Sequence, residues 1–208
     1  MITLQERDNW ELDLSKINVL DNFFTSECMD ILKIRMLYGK YCDYNYKDYQ
    51  ALDHTKEQDF MSDTISNELR SKIKLPAFQR AWSFVYNNES DGVELHCDPS
   101  VVNINIWVSS DEVVKDKTKN GLDIYEIKPP KEWSRSEWNS NPQLVKEYIE
   151  SNKTQPIKID YKSNRAIMFP GDYFHTSNGV SMKEGFENRR VSYTLLFGAT
   201  LDGVLKND

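Results

Sequence analysis

The sequence of 208 residues has few cysteines and no long apolar run. Its three cysteines, Cys28, Cys42 and Cys97, follow no metal-binding spacing and leave an odd one over, which predicts free thiols in a reducing compartment. No apolar stretch reaches the roughly 20 residues that a membrane helix needs. The opening MITLQERDNWELDL is too acidic and polar for a signal peptide. We therefore expect a cytoplasmic protein with no membrane segment.

The sequence also lacks an excess of positive charge. Its formal net charge is -7, and no basic run could neutralise a row of phosphates. Tight, non-specific binding to nucleic acid is therefore not expected. A pocket for one flipped or single-stranded base remains compatible with this charge, because such a pocket depends on shape and stacking.

Glycine and proline are scarce, with 8 and 7 copies, and neither an internal repeat nor a low-complexity linker is present. This composition predicts a single globular domain over residues 1–208. Thr25 as N-cap and Gly39 as C-terminal stop predict a first helix. The stripe of Ile65, Leu69 and Ile73 predicts a second helix over residues 62–73.

From Arg80 onward the apolar period changes to two, so that Trp82, Phe84 and Tyr86 share one face of a strand. Further strands are predicted at Glu94–Cys97, Val101–Val108, Leu122–Ile127, Ile157–Tyr161, Arg165–Phe169 and Arg190–Phe197. One helix, with Asn141 as its cap and a proline at its first position, interrupts the series. The order predicts an α+β, mainly β fold, a sandwich or barrel backed by N-terminal helices.

Histidine is rare, and only three positions carry it. In ELHCDPSVVNINIWV, His96 and Asp98 would share one face of a strand while Cys97 points to the other. His54 lies in the charged stretch ALDHTKEQDF, and we interpret it as a surface residue; His175 follows an apolar strand and a tight turn that would present its ring. Two histidines and one carboxylate leave metal positions open and suit non-haem Fe(II), whereas a closed zinc site needs a fourth ligand.

An isolated H-x-D is more often a hydrogen-bonded pair, so the downstream segment GFENRRVSYTLLFG matters. Arg190 and Ser192 share one face of its strand, and an arginine beside a hydroxyl can bind a carboxylate. A structural arginine is the alternative. Asn103, Asn105 and Trp107 alternate on one face after the first ligands. They would line the pocket, or the two asparagines would face solvent.

H-x-D, a distant histidine and then R-x-S resemble the 2-oxoglutarate and Fe(II)-dependent dioxygenase superfamily in order and spacing, from Tyr86 to Phe197. The opening LDNFFTSECMDIL is similar to the helix that begins prolyl-hydroxylase-like members, and NGLDIY and AIMFPGDYFH resemble two later strands. The resemblance implies a double-stranded β-helix, or jelly roll. Collagen-type prolyl hydroxylases of animals carry lysine where this chain has Arg190.

The resemblance also implies roles for individual residues. Three would be catalytic iron ligands: His96, Asp98 and His175. Arg190 would bind the distal carboxylate of 2-oxoglutarate, supported by Ser192. Tyr86 lies where relatives often carry a tyrosine that hydrogen-bonds the cosubstrate, although it would serve equally well as a core aromatic.

The implied activity is a 2-oxoglutarate-dependent dioxygenase that uses Fe(II) and O2 to hydroxylate a substrate, with release of succinate and CO2. The substrate, a small molecule, a peptide or a nucleobase, would be selected by loops at the barrel mouth, Tyr41–Gln58, Ser109–Lys119 and Lys131–Asn139. Two alternatives stay open. One is a cupin-like metalloprotein without 2-oxoglutarate, and the other is a non-catalytic jelly-roll binding module.

Overall fold

The structure, a computed structural model, describes residues 3–39, 44–55 and 59–199. Cys42 and parts of the predicted loop Tyr41–Gln58 lie outside these residues. The described chain is mainly antiparallel β-structure with a few helices. None of its helices is long and apolar enough to cross a membrane.

The strands are β1 (Asn18–Leu20), β2 (Tyr44–Asn45), β3 (Tyr49–Asp53), β4 (Phe78–Tyr86), β5 (Glu89–Ser90), β6 (Ser100–Trp107), β7 (Leu122–Tyr125), β8 (Ile157–Ile159), β9 (Ala166–Phe169), β10 (Phe174–Ser177), β11 (Val180–Ser181) and β12 (Val191–Ala199). The α-helices are α1 (Ser26–Tyr38), α2 (Phe60–Lys72), α3 (Arg135–Ser140) and α4 (Pro142–Ser151). Two short 3-10 turns cover Asp111–Val113 and Phe186–Asn188.

The helices begin where side chains satisfy their first backbone N–H groups. Thr25 accepts a hydrogen bond from the amide of Cys28 and starts α1, as predicted. The second helix begins two residues earlier than predicted, at Phe60, because the carboxylate of Asp59 caps it. The side chain of Asn141 accepts from the amide of Leu144 and starts α4, also as predicted.

The strands form a seven-stranded sheet in the order β1-β9-β6-β12-β4-β3-β2 and a three-stranded sheet in the order β10-β7-β8. The strands β11 and β5 pair separately. All the pairings are antiparallel. This arrangement is consistent with a jelly roll.

The two faces of the seven-stranded sheet have different partners. One face packs against α1 and α2, where Ile104 of β6 and Leu195 of β12 join Leu32 and Ile65 in the main core. The other face, called the inner face below, packs against the three-stranded sheet through residues such as Trp107 of β6. Alternate residues of the same strands therefore lie in separate hydrophobic clusters.

Two predictions about strands are wrong. Residues Glu94–Cys97 do not form a strand, and only His96 makes an isolated bridge. The segment Tyr41–Gln58 is not all loop, because Tyr44–Asn45 and Tyr49–Asp53 pair with each other and extend the large sheet beyond β4. Its tyrosines are typical of strands, but the aspartates and the lysine between them interrupt the alternation that would predict a strand.

The prediction that His54 is a surface residue is also wrong. His54 is 7% exposed, and its Nε2 lies 2.9 Å from the hydroxyl of Ser83 on β4. Its Nδ1 lies 3.4 Å from the carboxylate of Asp59, the cap of α2. The imidazole therefore joins the beginning of α2 to the helix-covered face of the sheet, a contact that the charged local sequence does not reveal.

Candidate metal centre

Backbone contacts bring the three predicted ligands together. His96 and His175 form an isolated antiparallel bridge, with N–H···O contacts of 3.1 and 2.8 Å in the two directions. The amide of Asp98 donates to the carbonyl of Gly171 at 2.8 Å. A Cβ at Gly171 would lie 2.7 Å from the backbone oxygen of Ser100, so only glycine permits this approach.

The ligand atoms of His96, Asp98 and His175 all lie within 4.8 Å of one another. The Nε2 of His175 is 3.6 Å from Oδ2 of Asp98, and the two imidazole centroids are 4.4 Å apart. No other group of three such side chains that could hold a metal occurs in residues 3–39, 44–55 and 59–199. The predicted ligand atoms are therefore close enough to share one ion.

The Nδ1 atom of each imidazole is hydrogen-bonded to a backbone carbonyl. Nδ1 of His96 lies 2.7 Å from the carbonyl of Glu94, and Nδ1 of His175 lies 3.0 Å from the carbonyl of Tyr173. A carbonyl only accepts hydrogen bonds, so each Nδ1 is the protonated nitrogen in these contacts. Each Nε2 then keeps a lone pair for a metal, the tautomer that such hydrogen bonds fix in metal sites.

Electrostatics favour the neutral form of His175. Burial and the neighbouring His96 lower the pKa of His175 to about 4, although Asp98 and the Tyr173 carbonyl oppose the shift. The imidazole is therefore unprotonated at neutral pH, as a metal ligand must be. The side-chain amide of Asn103 donates to Oδ2 of Asp98 and orients the carboxylate.

A second polar group lies on the inner face of the seven-stranded sheet. Arg190, directly before β12, is 2% exposed, and its guanidinium carbon lies 4.7 Å from the Tyr86 ring centroid and 5.9 Å from that of Trp107. Among the described residues, its Nε and Nη1 have no hydrogen-bond partner, and neither has Nε1 of Trp107. A buried guanidinium without a carboxylate is costly, so these N–H groups favour an anionic ligand.

Strand β6 connects the two groups. Ser192 lies opposite Trp107 in the register, so Arg190 is near the C-terminal end of β6. Asn103, which contacts Asp98, lies nearer the N-terminal end of the same strand. Trp107 follows Asn103 by four residue steps along the strand, a distance of about 13 Å. Asn105 is half-buried between them on the same face. The Arg190 side chain and an extended dicarboxylate could together bridge this separation.

The structure thus places the predicted residues in two groups. The ligand group contains His96, Asp98, His175 and Asn103; the arginine group contains Arg190, Ser192, Tyr86 and Trp107, with Asn105 between them. Asn103 is fully buried, which rules out its solvent-facing alternative. Sequence reasoning missed Gly171, although the PGD turn was a signal that the chain folds back near His175.

Cys97 lies outside the cluster of His96, Asp98 and His175. It is packed with Trp138, Phe174 and Val145, which include residues of the helical insertion α3–α4. Burial is the main cause that raises the pKa of its thiol, with Asp98 adding to it. Cys28 and Cys97 are both free and buried, as predicted for thiols that do not form disulfides. Neither is a ligand in this arrangement.

No protein-family model and no curated protein matches the sequence. Solved structures match its fold. The epimerase SnoN in complex with Fe3+, alpha ketoglutarate and nogalamycin RO has a TM-score of 0.65 at 7% identity, covering 92% of this chain and 84% of that one. HygX from Streptomyces hygroscopicus with nickel and 2-oxoglutarate bound has a TM-score of 0.57 at 11% identity, with 90% and 84% covered.

A prolyl-4-hydroxylase from Pseudomonas putida is similar too, with a TM-score of 0.54 at 10% identity, covering 88% of this chain and 92% of that one. The chain therefore shares the fold of structures described as 2-oxoglutarate and Fe(II) oxygenases, which confirms the resemblance at the level of the fold. These neighbours include an epimerase and a carbocyclase as well as a hydroxylase, so the shared fold is compatible with several reaction outcomes.

Proposed function

We propose that the chain is a non-haem Fe(II) and 2-oxoglutarate-dependent dioxygenase that hydroxylates an organic substrate. The observation that carries the proposal is the buried Arg190, whose Nε and Nη1 have no partner among the described residues, on the sheet face where Asn103 contacts Asp98 of a two-histidine, one-carboxylate cluster. A metal site alone would not need this arginine. A dicarboxylate that binds both groups explains why it is buried without a partner.

The donor set fits Fe(II). Two neutral imidazoles and one carboxylate occupy one side of a metal and leave its other positions open to a cosubstrate. When bound, Fe(II) and 2-oxoglutarate would supply the oxidising chemistry, in which O2 converts 2-oxoglutarate to succinate and CO2 and the substrate is hydroxylated. In this proposal His96, Asp98 and His175 are both the metal ligands and the catalytic residues.

The remaining residues of the inner face would bind and orient. Arg190 would donate to the far carboxylate of 2-oxoglutarate, with Ser192 beside it and the rings of Tyr86 and Trp107 excluding water. Exclusion of water strengthens this charge-assisted pairing. Asn103 would hold the Asp98 carboxylate in one orientation, and Asn105 faces the route between the two groups.

Succinate formation tests the proposal directly. The full chain would be supplied with Fe(II), ascorbate, O2 and 2-oxoglutarate, and succinate followed by NMR. We expect slow succinate release by the wild type, loss of it in Asp98→Ala, and normal release by Lys16→Met, an exposed residue outside both groups and outside the predicted substrate loops. Equal succinate from the wild type and from Asp98→Ala would contradict the proposal.

The two alternatives from the sequence give different outcomes. A cupin-like metalloprotein would keep its metal and its activity in Arg190→Ala. A non-catalytic binding module would show no Fe(II) affinity, and His175→Ala would leave any background turnover of 2-oxoglutarate unchanged. A single domain over residues 1–208 and a cytoplasmic location remain predictions, as does a substrate that is a small molecule or a peptide.

A further inference from the structure

Six aromatic side chains form a continuous row across β2, β3 and β4. They are Tyr44, Tyr46, Tyr49, Trp82, Phe84 and Tyr86, called the aromatic row below. Successive rings have centroids between 4.6 and 6.3 Å apart. The row is built on register: residues 82, 84 and 86 alternate on one face of β4, and Tyr49 of β3 lies directly opposite Tyr86.

The row runs from the proposed cosubstrate site to solvent. At its inner end Tyr86 is 3% exposed and lies under the guanidinium of Arg190. Tyr49, Phe84 and Trp82 are half-buried. At its outer end Tyr44 and Tyr46 are 38% and 50% exposed. Single exposed aromatics are ordinary, but a contiguous row that begins at a candidate active site indicates a ligand-binding surface.

Arginine side chains already lie over the rings at both ends of the part of the row that β4 carries. Arg190 lies over Tyr86, and the guanidinium carbon of Arg80 lies 5.1 Å from the centroid of Trp82. No cation lies over the rings between them, Phe84 and Tyr49, as far as the described residues show. Ring faces attract cations because of their quadrupole, most strongly where water is partly excluded.

Two acidic residues adjoin the middle of the row along the chain: Asp48 directly precedes Tyr49, and Glu94 directly follows Val93, which packs in one hydrophobic cluster with Tyr49 and Phe84. Burial is the main cause that raises the pKa of Tyr49 above its usual value, and the charges of Glu94 and Asp48 are among the smaller causes that raise it further, which agrees with this placement. Neither carboxylate has an ion-pair partner in the part of the chain that the structure describes. The backbone of Glu94 also holds the Nδ1 of His96, so this residue lies between the row and the metal cluster.

From this combination we infer that the aromatic row is the substrate site, and that the substrate carries an organic cation such as an ammonium group. The inference rests on the proposed function and specifies its substrate class. Phe84 and Tyr49 would face the cation, and Glu94 would place it near His96. The same carboxylates disfavour the phosphates of nucleotides and nucleic acids, which leaves an amine as the chemistry that matches both rings and charge.

A pair of probes with one shape and different charge tests this directly: choline and its neutral isostere 3,3-dimethylbutan-1-ol. Binding to the full chain would be measured by ligand-observed NMR. A cation–π contact predicts that choline binds about 2- to 30-fold more tightly than the isostere. Phe84→Leu and Glu94→Gln should each remove most of this preference. The matched control is Phe186→Leu, an exposed aromatic outside the row, which should leave it intact.

Equal affinity for the two probes would overturn the inference, and so would tighter binding of adenosine monophosphate than of choline. A preference for choline that survives Phe84→Leu and Glu94→Gln would overturn it as well. The outcome is separate from that of the proposed function, because choline binding is measured without turnover. Succinate formation without a choline preference contradicts only the substrate class, whereas a choline preference without succinate formation contradicts the dioxygenase.

Discussion

The two faces of β6 and β12 show how one pair of strands serves two purposes. Toward the helices, Ile104, Tyr193 and Leu195 lie fully buried in the main core. Toward the small sheet, Asn103 and Trp107 are equally buried, but the side-chain oxygen of Asn103 and the indole N–H of Trp107 have no partner in the part of the chain that the structure describes. The covered face is an apolar core, whereas the inner face carries buried polar atoms that the proposed cosubstrate would bind.

Polar groups on the helix-covered face make the contrast sharper. Ser83 of β4 is as buried as its apolar neighbours, but it bonds to His54, and His54 contacts Asp59. Polar groups there have partners because they connect α2 to the sheet. In contrast, Nε and Nη1 of Arg190 have no partner among the described residues. Four unpaired buried side-chain atoms of the described residues thus lie at the proposed site, on Asn103, Trp107 and Arg190, at a cost in stability that the rest of the fold must offset.

The largest effect is expected from Asp98→Ala on the inner face. Loss of partners that merely orient ligands costs 10- to 100-fold in metal affinity, so loss of a ligand should weaken Fe(II) binding by more than about 100-fold. Isothermal titration under anaerobic conditions would measure it. Asp123→Ala, which removes a half-buried carboxylate of β7 outside the cluster, is the control and should bind Fe(II) normally. Unchanged affinity in Asp98→Ala would remove the ligand role.

On the covered face, Ile104→Ala should reduce the free energy of unfolding by about 2–5 kcal/mol, because it leaves a cavity in the core. Urea denaturation measures this change. Val101→Ala on the same strand, where the side chain is exposed, should alter stability by less than about 0.5 kcal/mol. Loss of Fe(II) binding by folded Ile104→Ala would break the division between the two faces.

Arg190→Met should separate ligand binding from stability. The dissociation constant for 2-oxoglutarate should rise at least about 30-fold, since a charge-assisted contact of about 2 kcal/mol or more is lost. The free energy of unfolding without ligand should stay the same or rise, because an unpaired buried charge is removed. Arg70→Met, which removes an exposed arginine from the last turn of α2, should leave the affinity unchanged and the stability within about 0.5 kcal/mol. A large loss of stability in Arg190→Met would indicate a structural arginine instead.

The smallest effect concerns acid stability on the covered face. Burial alone would raise the pKa of Asp59, but hydrogen bonds from His54 and Ser62 and the charge of Arg35 hold it below its usual value. A depressed pKa in the folded state gives stability that is present above about pH 4 and is lost as the pH falls further. Asp59→Ala, which removes both the helix cap and the titrating carboxylate, should therefore lose about 1 kcal/mol at pH 7 and depend less on pH between 5 and 2. Parallel stability curves would contradict this account.

The sequence predicts what local pattern determines. Three predicted features depend only on neighbouring residues, and the structure agrees with each of them. They are the caps of α1 and α4, the alternation of side chains between the two faces of β4 and β6, and the common face of Arg190 and Ser192. The structure also brings His96, Asp98 and His175 together. The cause of this arrangement differs from the prediction. We expected a regular strand to place His96 and Asp98 on one face, whereas a backbone bridge to His175 and the contact of Asp98 with Gly171 hold the three residues together.

What the sequence does not predict depends on tertiary contacts. Tyr44–Asn45 and Tyr49–Asp53 become strands because β4 offers an edge, and their own residues carry a weak pattern. His54 is buried because Asp59 and Ser83 satisfy its nitrogens, and Ser83 is distant in sequence. The aromatic row likewise exists only after β2, β3 and β4 align.

The most direct test of the account is the visible charge-transfer absorption of an Fe(II)–2-oxoglutarate chelate. Metal-free full chain would receive Fe(II) and 2-oxoglutarate without oxygen, with succinate in place of 2-oxoglutarate as the control. We predict a band that requires 2-oxoglutarate and disappears in Asp98→Ala. No band from folded wild-type protein at saturating concentrations, or an undiminished band in Asp98→Ala, would contradict the account.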